Sequence, residues 1–266
     1  MIARLLTVSL MLAPVAARGE VVAIRGEDGA ALRAMVVAPA AGVPRRATVV
    51  ALHGCAGLAP SYRPLRLPAR EADWAGRLAA LGHRVVFPDS FGSRGEGPAC
   101  GRADHPVQPG GLRAGDARAA LAWAAAQPGE PPGGGLLLGW SHGGSTVLAA
   151  LGAPMPPGLL RAAVAFYPGC GALLRGAPGW AAPVPLLMLL GGADDWTPAH
   201  RCEALAARAP GRIEMRVFAS AHHNFDHPGV PIRSRVLPNG LTVTTGTDAA
   251  AREGAIAALL GFLAAH

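Results

Sequence analysis

Short runs of apolar residues alternate along the chain with longer, Ala-rich segments in which polar positions are scattered. Runs such as 49–52 and 136–138 contain no polar residue, which is typical of strands that are covered on both faces. The apolar runs predict eight strands, at 21–25, 32–38, 47–52, 84–88, 135–139, 162–166, 184–190 and 212–218. Strands that alternate with longer segments favour β-α units and a mostly parallel sheet, so the predicted class is α/β.

The longer segments between these runs predict helices. They lie at 70–81, 112–126, 144–151, 198–208 and 249–264. The last of them carries apolar residues at the spacing of one helix face. The segment 229–247 predicts a loop or a small hairpin around Pro238-Asn239-Gly240. No repeat and no long polar linker divides the sequence, so we expect one domain over residues 18–266.

The first 17 residues have the three-part pattern of a secretory signal. Arg4 precedes an apolar run over 5–13, and small residues follow as far as Ala17. The run is too short to span a bilayer, which takes about 20 residues. The alternative is the uncleaved start of a cytosolic protein, but the pattern favours a signal peptide at 1–17 and a periplasmic or secreted protein. No later stretch of about 18 apolar residues lacks Gly, Pro or charge, so we expect no membrane span in the mature chain.

The composition argues against two broad classes of protein. Apolar residues make up 51% of the 266 residues and charged residues 15%, so the chain can bury a large core and is not intrinsically disordered. The net charge of +7 would suit a nucleic-acid partner, but all 24 basic residues are scattered arginines and only 5% of residues are aromatic. A nucleic-acid site needs a basic cluster with aromatic side chains that stack on bases. We therefore expect no nucleic-acid partner.

Four cysteines, Cys55, Cys100, Cys170 and Cys202, suit an oxidising compartment. No two of them have the C-x-x-C spacing of zinc sites or thioredoxin-like sites. Three pairings are possible, and four free thiols are the alternative to disulfides. The strand predicted at 184–190 lies between Cys170 and Cys202, so position favours a Cys170–Cys202 disulfide and thereby a Cys55–Cys100 disulfide.

The segment Gly139-Trp140-Ser141-His142-Gly143 matches the pattern G-x-S-x-G and lies between an apolar strand and a predicted helix. In a strand-to-helix turn this sharp, the serine is strained with its Oγ exposed, and the two glycines leave room for the neighbouring chain. The pentapeptide alone is a weak signal, but its position favours a nucleophile over an ordinary turn. Ser141 is therefore the predicted catalytic nucleophile.

A serine hydroxyl needs a base to act as a nucleophile at neutral pH, and the base needs an acid to orient it. In the fold that contains this turn, the order along the chain is serine, acid, histidine. Two later segments fit that order: 191–198 contains two adjacent aspartates, and 221–226 contains two adjacent histidines. Both follow the carboxyl ends of predicted strands, where the active sites of open α/β sheets lie.

Together these segments resemble the α/β-hydrolase fold and, within it, the dienelactone hydrolase family. The resemblance spans about residues 45–265 and rests on the segments 53–57, 88–92, 139–143, 191–198 and 221–225. It implies a mostly parallel sheet of about eight strands flanked by helices, without a large cap domain. The archetypal dienelactone hydrolase has cysteine where this chain has serine, so the expected activity is that of a serine esterase.

The resemblance also implies roles for individual residues. It makes Ser141 the nucleophile, Asp194 the acid and His223 the base. The acid of the family comes three residues after a glycine and four before a proline, which selects Asp194. Its neighbour Asp195 is expected instead to cap the helix predicted at 198–208.

Two further parts of the site follow from the same resemblance. The loop after the strand at 47–52 is the place that supplies one oxyanion donor, so the backbone N–H groups of Cys55 and His142 are expected to bind the oxyanion. Arg94 lies near the place where the resembling enzymes carry an arginine that binds a substrate carboxylate. We expect a bidentate contact of that kind, with a solvated surface charge as the alternative.

The remaining histidines are expected to have no part in the chemistry. The ring of His142 and the side chain of His222 are expected to pack or to form hydrogen bonds. The histidines expected on the surface or in loops are His83, His105, His200 and His227. No gathering of histidines and carboxylates has the spacing of a metal site, so no metal and no cofactor is expected.

The expected function is therefore hydrolysis of small or medium carboxylic esters through a Ser-His-Asp triad and an acyl-enzyme intermediate. We expect a monomer whose partner is a small-molecule ester. The alternatives are a serine peptidase or acyltransferase on the same fold, or a catalytically silent binding module. All three triad residues are present, which disfavours the module, and the chain lacks the length for the extra domain that usually accompanies peptidase activity.

Overall fold

The computed structural model describes residues 19–60, 62–209 and 212–266. The predicted signal peptide at 1–17 lies outside the described residues. Within those residues, eight strands form one sheet, six helices accompany it, and two short strands form a separate hairpin.

The elements are close to those that the apolar pattern predicts. The strands of the sheet are β1 (Gly19–Arg25), β2 (Ala31–Val37), β3 (Arg46–Leu52), β4 (His83–Pro88), β5 (Gly135–Trp140), β6 (Leu160–Phe166), β7 (Leu186–Gly191) and β8 (Ile213–Phe218). The hairpin strands are β9 (Arg233–Val236) and β10 (Thr242–Thr245). The helices are α1 (Ala69–Ala80), α2 (Leu112–Ala125), α3 (His142–Leu151), α4 (Gly171–Gly176), α5 (Ala199–Ala206) and α6 (Ala249–Ala265).

The strand order in the sheet is β1-β2-β4-β3-β5-β6-β7-β8. The strands β3 to β8 run parallel, while β2 runs antiparallel to both β1 and β4. The uninterrupted apolar sequences of β5 and β7 are buried along their whole length, whereas β8 at the edge alternates between half-buried and exposed positions. The predicted α/β class and mostly parallel sheet are confirmed.

Helices cover both faces of the sheet, each over its own apolar core. On one face, α2, α3 and α5 pack through residues such as Leu121, Leu148 and Leu205. On the other face, α1 and α6 pack through residues such as Trp74 and Leu259. Because both faces are covered, the central strands need apolar side chains at successive positions.

Two expectations from the sequence are corrected by the structure. The helix α4 is missing from the prediction, since six residues flanked by glycine are too short to show a helical period. His83 is buried at the start of β4, so it lies neither on the surface nor in a loop, whereas His105 lies in a loop as predicted but is buried there. The Nδ1 of His83 lies 2.6 Å from the carbonyl oxygen of Ala47, and the ring of His105 packs against Phe91.

The parallel strands direct the loops that follow them to one end of the molecule, because the carboxyl ends of parallel strands meet at the same edge. The loops that follow β3, β4, β5, β7 and β8 are among those that begin at this end. These loops contain the segments that the sequence analysis singled out. Within the described ranges, no helix is both long enough and apolar enough to cross a membrane.

Candidate active site

Ser141 occupies the sharp turn between β5 and α3. Its φ of 54° and ψ of −114° are unusual for a residue with a side chain, and such a conformation costs on the order of 1–3 kcal/mol. The turn is held by the backbone, because the N–H of Ser141 donates to the carbonyl oxygen of Phe166 at 2.9 Å. The sequence-predicted strain at this serine is therefore present.

The two glycines of the motif are needed because the backbone passes so closely. A Cβ on Gly139 would lie 2.4 Å from the carbonyl carbon of Gly143. A Cβ on Gly143 would lie 2.0 Å from the carbonyl oxygen of Leu52. A side chain at either position would force the turn open and displace Ser141.

Ser141, His223 and Asp194 form a continuous chain of hydrogen bonds. The Oγ of Ser141 lies 2.9 Å from Nε2 of His223, and Nδ1 of His223 lies 2.7 Å from Oδ2 of Asp194. All three residues are buried, with 8%, 3% and 4% of their surface exposed. The structure thus brings together the three residues that the sequence analysis proposed as a triad.

Asp194 is held as an ionised acceptor. Burial alone would raise its pKa, but hydrogen bonds from His223 and Thr197 outweigh it and hold the pKa below the ordinary value. The backbone N–H groups of Trp196 and Thr197 donate to its Oδ1 at 2.9 and 2.8 Å, and the Thr197 hydroxyl donates to its Oδ2 at 2.9 Å. A carboxylate so fixed can orient His223 and stabilise its charged form.

Asp195 does not cap helix α5, contrary to the expectation from the sequence. Its carboxylate accepts the backbone N–H of Thr244 on β10, at 2.8 Å to Oδ1 and 3.1 Å to Oδ2. The N–H groups of Trp196 and Thr197, just before α5, donate to Asp194 instead. Asp195 therefore points away from α5 and holds the hairpin.

The loop after β8 presents His223 through a strained neighbour, Asn224, whose φ is +70°. The aromatic rings of Tyr167 and Trp196 pack against the imidazole of His223. Their ring centroids lie 4.6 and 4.7 Å from the centroid of the imidazole. The adjacent His222 lies elsewhere, with its Nδ1 2.8 Å from the carbonyl oxygen of Ala193. The structure therefore keeps His223 on the site and His222 off it.

The backbone N–H groups of Cys55 and His142 are free to bind an anion. Neither donates a hydrogen bond to any acceptor within the described ranges. Cys55 lies in the turn after β3, and His142 is the first residue of α3, where N–H groups have no acceptor inside the helix. The predicted oxyanion donors are thus unpaired.

A cavity of about 260 Å³ opens over Ser141 and His223. The disulfide between Cys55 and Cys100 forms part of its wall, and a second disulfide joins Cys170 to Cys202. Side chains that the sequence analysis did not associate with the site also line the cavity. They are Pro68, Arg70, Glu71, Trp196, His227, Arg235 and Thr245.

Arg94 does not line this cavity, so the structure does not bring it to Ser141. Its guanidinium donates to Asp116 at 2.7 and 2.8 Å and to Asp28 at 3.0 to 3.2 Å. Two carboxylates already occupy its donors, which removes the reason to expect a contact with a substrate carboxylate. The arginines that face the cavity are Arg70 and Arg235.

A buried polar cluster holds the loop that contains His223 through hydrogen bonds to Asn224 and Asp226. Asp226 is fully buried and accepts hydrogen bonds from Trp140 Nε1 at 2.8 Å and from the Tyr167 hydroxyl at 2.5 Å. Arg70 donates to the side-chain oxygen of Asn224 at 2.6 Å. The sequence did not reveal this cluster, because its members come from four separate elements that meet only in the folded protein.

No protein-family model matches the sequence, and no curated protein matches it. Solved structures do. A candidate dienelactone hydrolase from Klebsiella pneumoniae subsp. pneumoniae MGH 78578 superposes with a TM-score of 0.66 at 17% identity, over 94% of this chain and 99% of that one. The protein has the α/β-hydrolase fold.

Two further α/β-hydrolase structures are similar over most of the chain. A dienelactone hydrolase-like promiscuous phosphotriesterase from metagenomic libraries gives a TM-score of 0.63 at 20% identity, over 92% of this chain and 98% of that one. An esterase of the Planctomycetes species Thermogutta terrifontis, with propionate bound, gives 0.56 at 22% identity, over 78% and 85%. These similarities establish the fold.

Proposed function

We propose that this protein is a serine hydrolase that cleaves small carboxylic esters, with Ser141 as nucleophile, His223 as base and Asp194 as the orienting acid. The observation that carries the proposal is the unbroken hydrogen-bonded chain from Ser141 Oγ through His223 to Asp194, at 2.9 and 2.7 Å. Its arrangement meets the geometric criterion for an activated serine. The strained turn that presents Ser141 supports the same assignment.

In the first half of the reaction, Ser141 Oγ attacks the ester carbonyl carbon while His223 Nε2 takes the hydroxyl proton. The carbonyl π electrons move to oxygen, and the N–H groups of Cys55 and His142 bind the oxyanion. Asp194 stabilises the imidazolium through Nδ1. The oxyanion then re-forms the carbonyl, the C–O bond to the alcohol breaks, and His223 gives its proton to the departing alkoxide oxygen.

The second half releases the acid by the same groups. A water molecule loses a proton to His223 Nε2 and attacks the acyl carbon. The tetrahedral intermediate collapses, the bond to Ser141 Oγ breaks, and His223 returns the proton to the serine. Each half uses the oxyanion donors once, so their alignment affects both steps.

The size and wall of the cavity support a small acyl group. About 260 Å³ is below the usual range of roughly 300–1,000 Å³ for pockets that hold drug-sized ligands. The Cys55–Cys100 disulfide and Trp196 form part of its wall. The esterase of Thermogutta terrifontis with the same fold binds propionate, a short-chain carboxylic acid.

The two disulfides support an oxidising compartment. With the signal sequence predicted at 1–17, they support export to the periplasm or the medium, and residues 18–266 as the mature chain. Export can be checked by fractionating cells that express the full chain and measuring the mass of the recovered protein.

The test of the proposed function is a panel of nitrophenyl esters of graded acyl length. We expect measurable turnover that is highest for short chains of about two to four carbons and falls for longer ones. A fluorophosphonate probe should label the wild-type protein once, at Ser141, as determined by mass spectrometry of tryptic peptides. No turnover of any ester together with no labelling would refute the proposal.

A further inference from the structure

Arg113 is the one fully buried arginine among the residues that the structure describes. It extends from α2, and its guanidinium forms no ion pair with any carboxylate in the described ranges. A buried charge without an ionic partner is costly to desolvate. The contacts of the Arg113 guanidinium must therefore offset this desolvation cost.

The guanidinium contacts both segments of the proposed oxyanion hole. One terminal nitrogen donates to Nδ1 of His142 at 2.5 Å, and the other donates to the backbone carbonyl oxygen of His53. His142 follows the nucleophile, and His53 begins the turn that contains Cys55. A single planar group therefore joins the side chain of one donor residue, His142, to the backbone two residues before the other, Cys55.

The contact fixes the state of the His142 ring. A guanidinium can only donate, so Nδ1 must accept and the ring proton is on Nε2. Burial, with a further contribution from Arg113, lowers the pKa of His142 to about 2, so the ring is neutral at any pH at which the protein would work. The role of the ring is then to accept this hydrogen bond.

Phe91 holds the guanidinium from one face. Its ring centroid lies 5.0 Å from the central carbon of Arg113, and it packs at 4.8 Å from the ring of His53 and at 5.4 Å from that of His142. The guanidinium thus has one face on an aromatic ring, one edge on the ring of His142 and another on the carbonyl oxygen of His53. Burial lowers the pKa of Arg113 to about 9, which leaves it protonated at neutral pH.

Building on the hydrolase function proposed above, we propose that Arg113 is a positioning residue that sets the separation of the Cys55 and His142 N–H groups. Oxyanion donors work only when both lie about 2.7–3.1 Å from the oxyanion, and loss of one costs about 10²- to 10³-fold in kcat. The planar guanidinium reaches two acceptors through two terminal nitrogens at a fixed separation, whereas a lysine ammonium is a single point charge on a flexible stem. Its positive charge also has the sign that favours an oxyanion.

The test compares Arg113→Met and Arg113→Lys with Arg118→Met. Arg118 is on the same helix, pairs with Glu27 and does not contact the cavity, so it is a matched control. The measurements are kcat and KM for a nitrophenyl ester per titrated active site, the melting temperature, and the affinity for a boronic acid that forms a tetrahedral adduct. All kinetics are measured well below the melting temperature of each variant.

For Arg113→Met we expect kcat to fall by about 30- to 1,000-fold with KM changed by less than about threefold, and boronate affinity to fall in parallel with kcat. Arg113→Lys should recover only a small part of the lost kcat, because a single ammonium nitrogen does not span the two acceptors that the two terminal nitrogens of the guanidinium reach. Arg118→Met should keep wild-type kcat.

Three outcomes would overturn the role of Arg113: wild-type kcat per active site in Arg113→Met, full recovery in Arg113→Lys, or loss of kcat without loss of boronate affinity. If Arg113→Met fails to fold, Arg113→Lys alone decides between reduced and wild-type kcat. A wild-type protein that neither turns over ester nor binds boronate would refute the hydrolase proposal itself. An active wild type with an unaffected Arg113 variant would refute only this inference.

Discussion

Asp194 and Asp195 are neighbours in the chain, yet they bind to different parts of the molecule. Asp194 accepts from His223 and from the first turn after β7, whereas Asp195 accepts from the hairpin. The difference arises in the turn and bend that follow β7, where the Asp194 carboxylate folds back onto the N–H groups of Trp196 and Thr197 while the Asp195 carboxylate reaches β10. It allows the two carboxylates to be tested against each other.

Asp194→Asn should lower kcat by on the order of 10³- to 10⁴-fold, because a neutral amide neither fixes the tautomer of His223 nor stabilises its charged form. Asp195→Asn is the matched control. It keeps an oxygen acceptor for Thr244, so we expect little change in kcat and a loss of at most about 1 kcal/mol of unfolding free energy. Ester kinetics and urea unfolding of both variants would check this, and a larger catalytic loss at Asp195 would reverse the assignment.

Residue-scale features differ in how well the sequence reveals them. Ser141, Asp194 and His223 could be predicted because their motifs sit after predicted strands in a fixed chain order. Arg113 could not, because a lone arginine on an Ala-rich helix has the same appearance in sequence as a solvated one. Arg94 shows the reverse error: its place after β4 suggested a substrate contact, but Asp28 and Asp116 hold it elsewhere.

At the scale of elements, the hairpin of β9 and β10 forms one wall of the cavity. Arg235 on β9 lies over the ring of Trp196, with 5.1 Å to its centroid, and both line the cavity beside His223. The hairpin is tied to the site by Asp195 and by a backbone hydrogen bond of 3.0 Å from Gly246 to His223. It therefore shapes the substrate site without contributing to the triad.

Arg235→Ala should raise KM for a short ester by about two- to fivefold and leave kcat within about twofold. The reason is that an exposed cation–π contact of roughly 0.5–1 kcal/mol no longer orders Trp196. Arg233→Ala, at an exposed position on the same strand, is the control. Equal kinetics for both variants would show that the wall plays no part in substrate binding.

The two disulfides provide a second comparison at this scale. Each closes a loop, of 45 residues for Cys55–Cys100 and 32 for Cys170–Cys202, for which the chain-entropy model gives roughly 4 kcal/mol of stabilisation. Cys170→Ser with Cys202→Ser should lower the melting temperature but not kcat at 25 °C. Cys55→Ser with Cys100→Ser should lower both, because this disulfide holds a proposed oxyanion donor. Unchanged kcat in the second pair would contradict that link.

Element boundaries could be predicted to within a few residues, because continuous apolar runs mark the buried strands and residues such as Gly and Pro separate them from the Ala-rich helices. The hairpin was predicted only as an alternative to a loop. Each of its two strands has only four residues. All four residues of β9 are exposed and one residue of β10 is buried, so the apolar pattern of this segment is weak. The packing of the hairpin on His223 arises from tertiary contacts that no local pattern encodes.

At the scale of the whole molecule, the two large apolar cores stabilise the sheet from both faces. Histidines near the carboxyl end of the sheet make the stability depend on pH. His53 and His142 both have pKa values below the ordinary 6.5, in each case because of burial first and Arg113 second. Below pH 6.5 the unfolded chain therefore binds protons that the folded protein does not. The contribution of these two histidines to the unfolding free energy is fully present above pH 6.5 and is lost as the pH falls below it.

We therefore expect the unfolding free energy to decrease below pH 6.5 by up to about 1.4 kcal/mol per pH unit for each of the two histidines. Urea unfolding at pH 7.5, 6.0 and 5.0 measures this slope. His53→Asn with His142→Asn should reduce the slope between pH 6.5 and 5 without abolishing it, because burial also lowers the pKa of His83 and of His227. His200→Asn, at an exposed position, is the control. A wild-type slope near zero would mean that these histidines take up protons in the folded state.

The central claim is that Ser141 is the nucleophile of an ester hydrolase, and the most direct measurement is kcat of Ser141→Ala on a short nitrophenyl ester. The account predicts a loss of about 10⁴-fold or more, since removal of a triad nucleophile leaves only the oxyanion donors and binding. The melting temperature should stay close to that of the wild type. An alanine variant that keeps more than about a tenth of wild-type kcat would contradict the account.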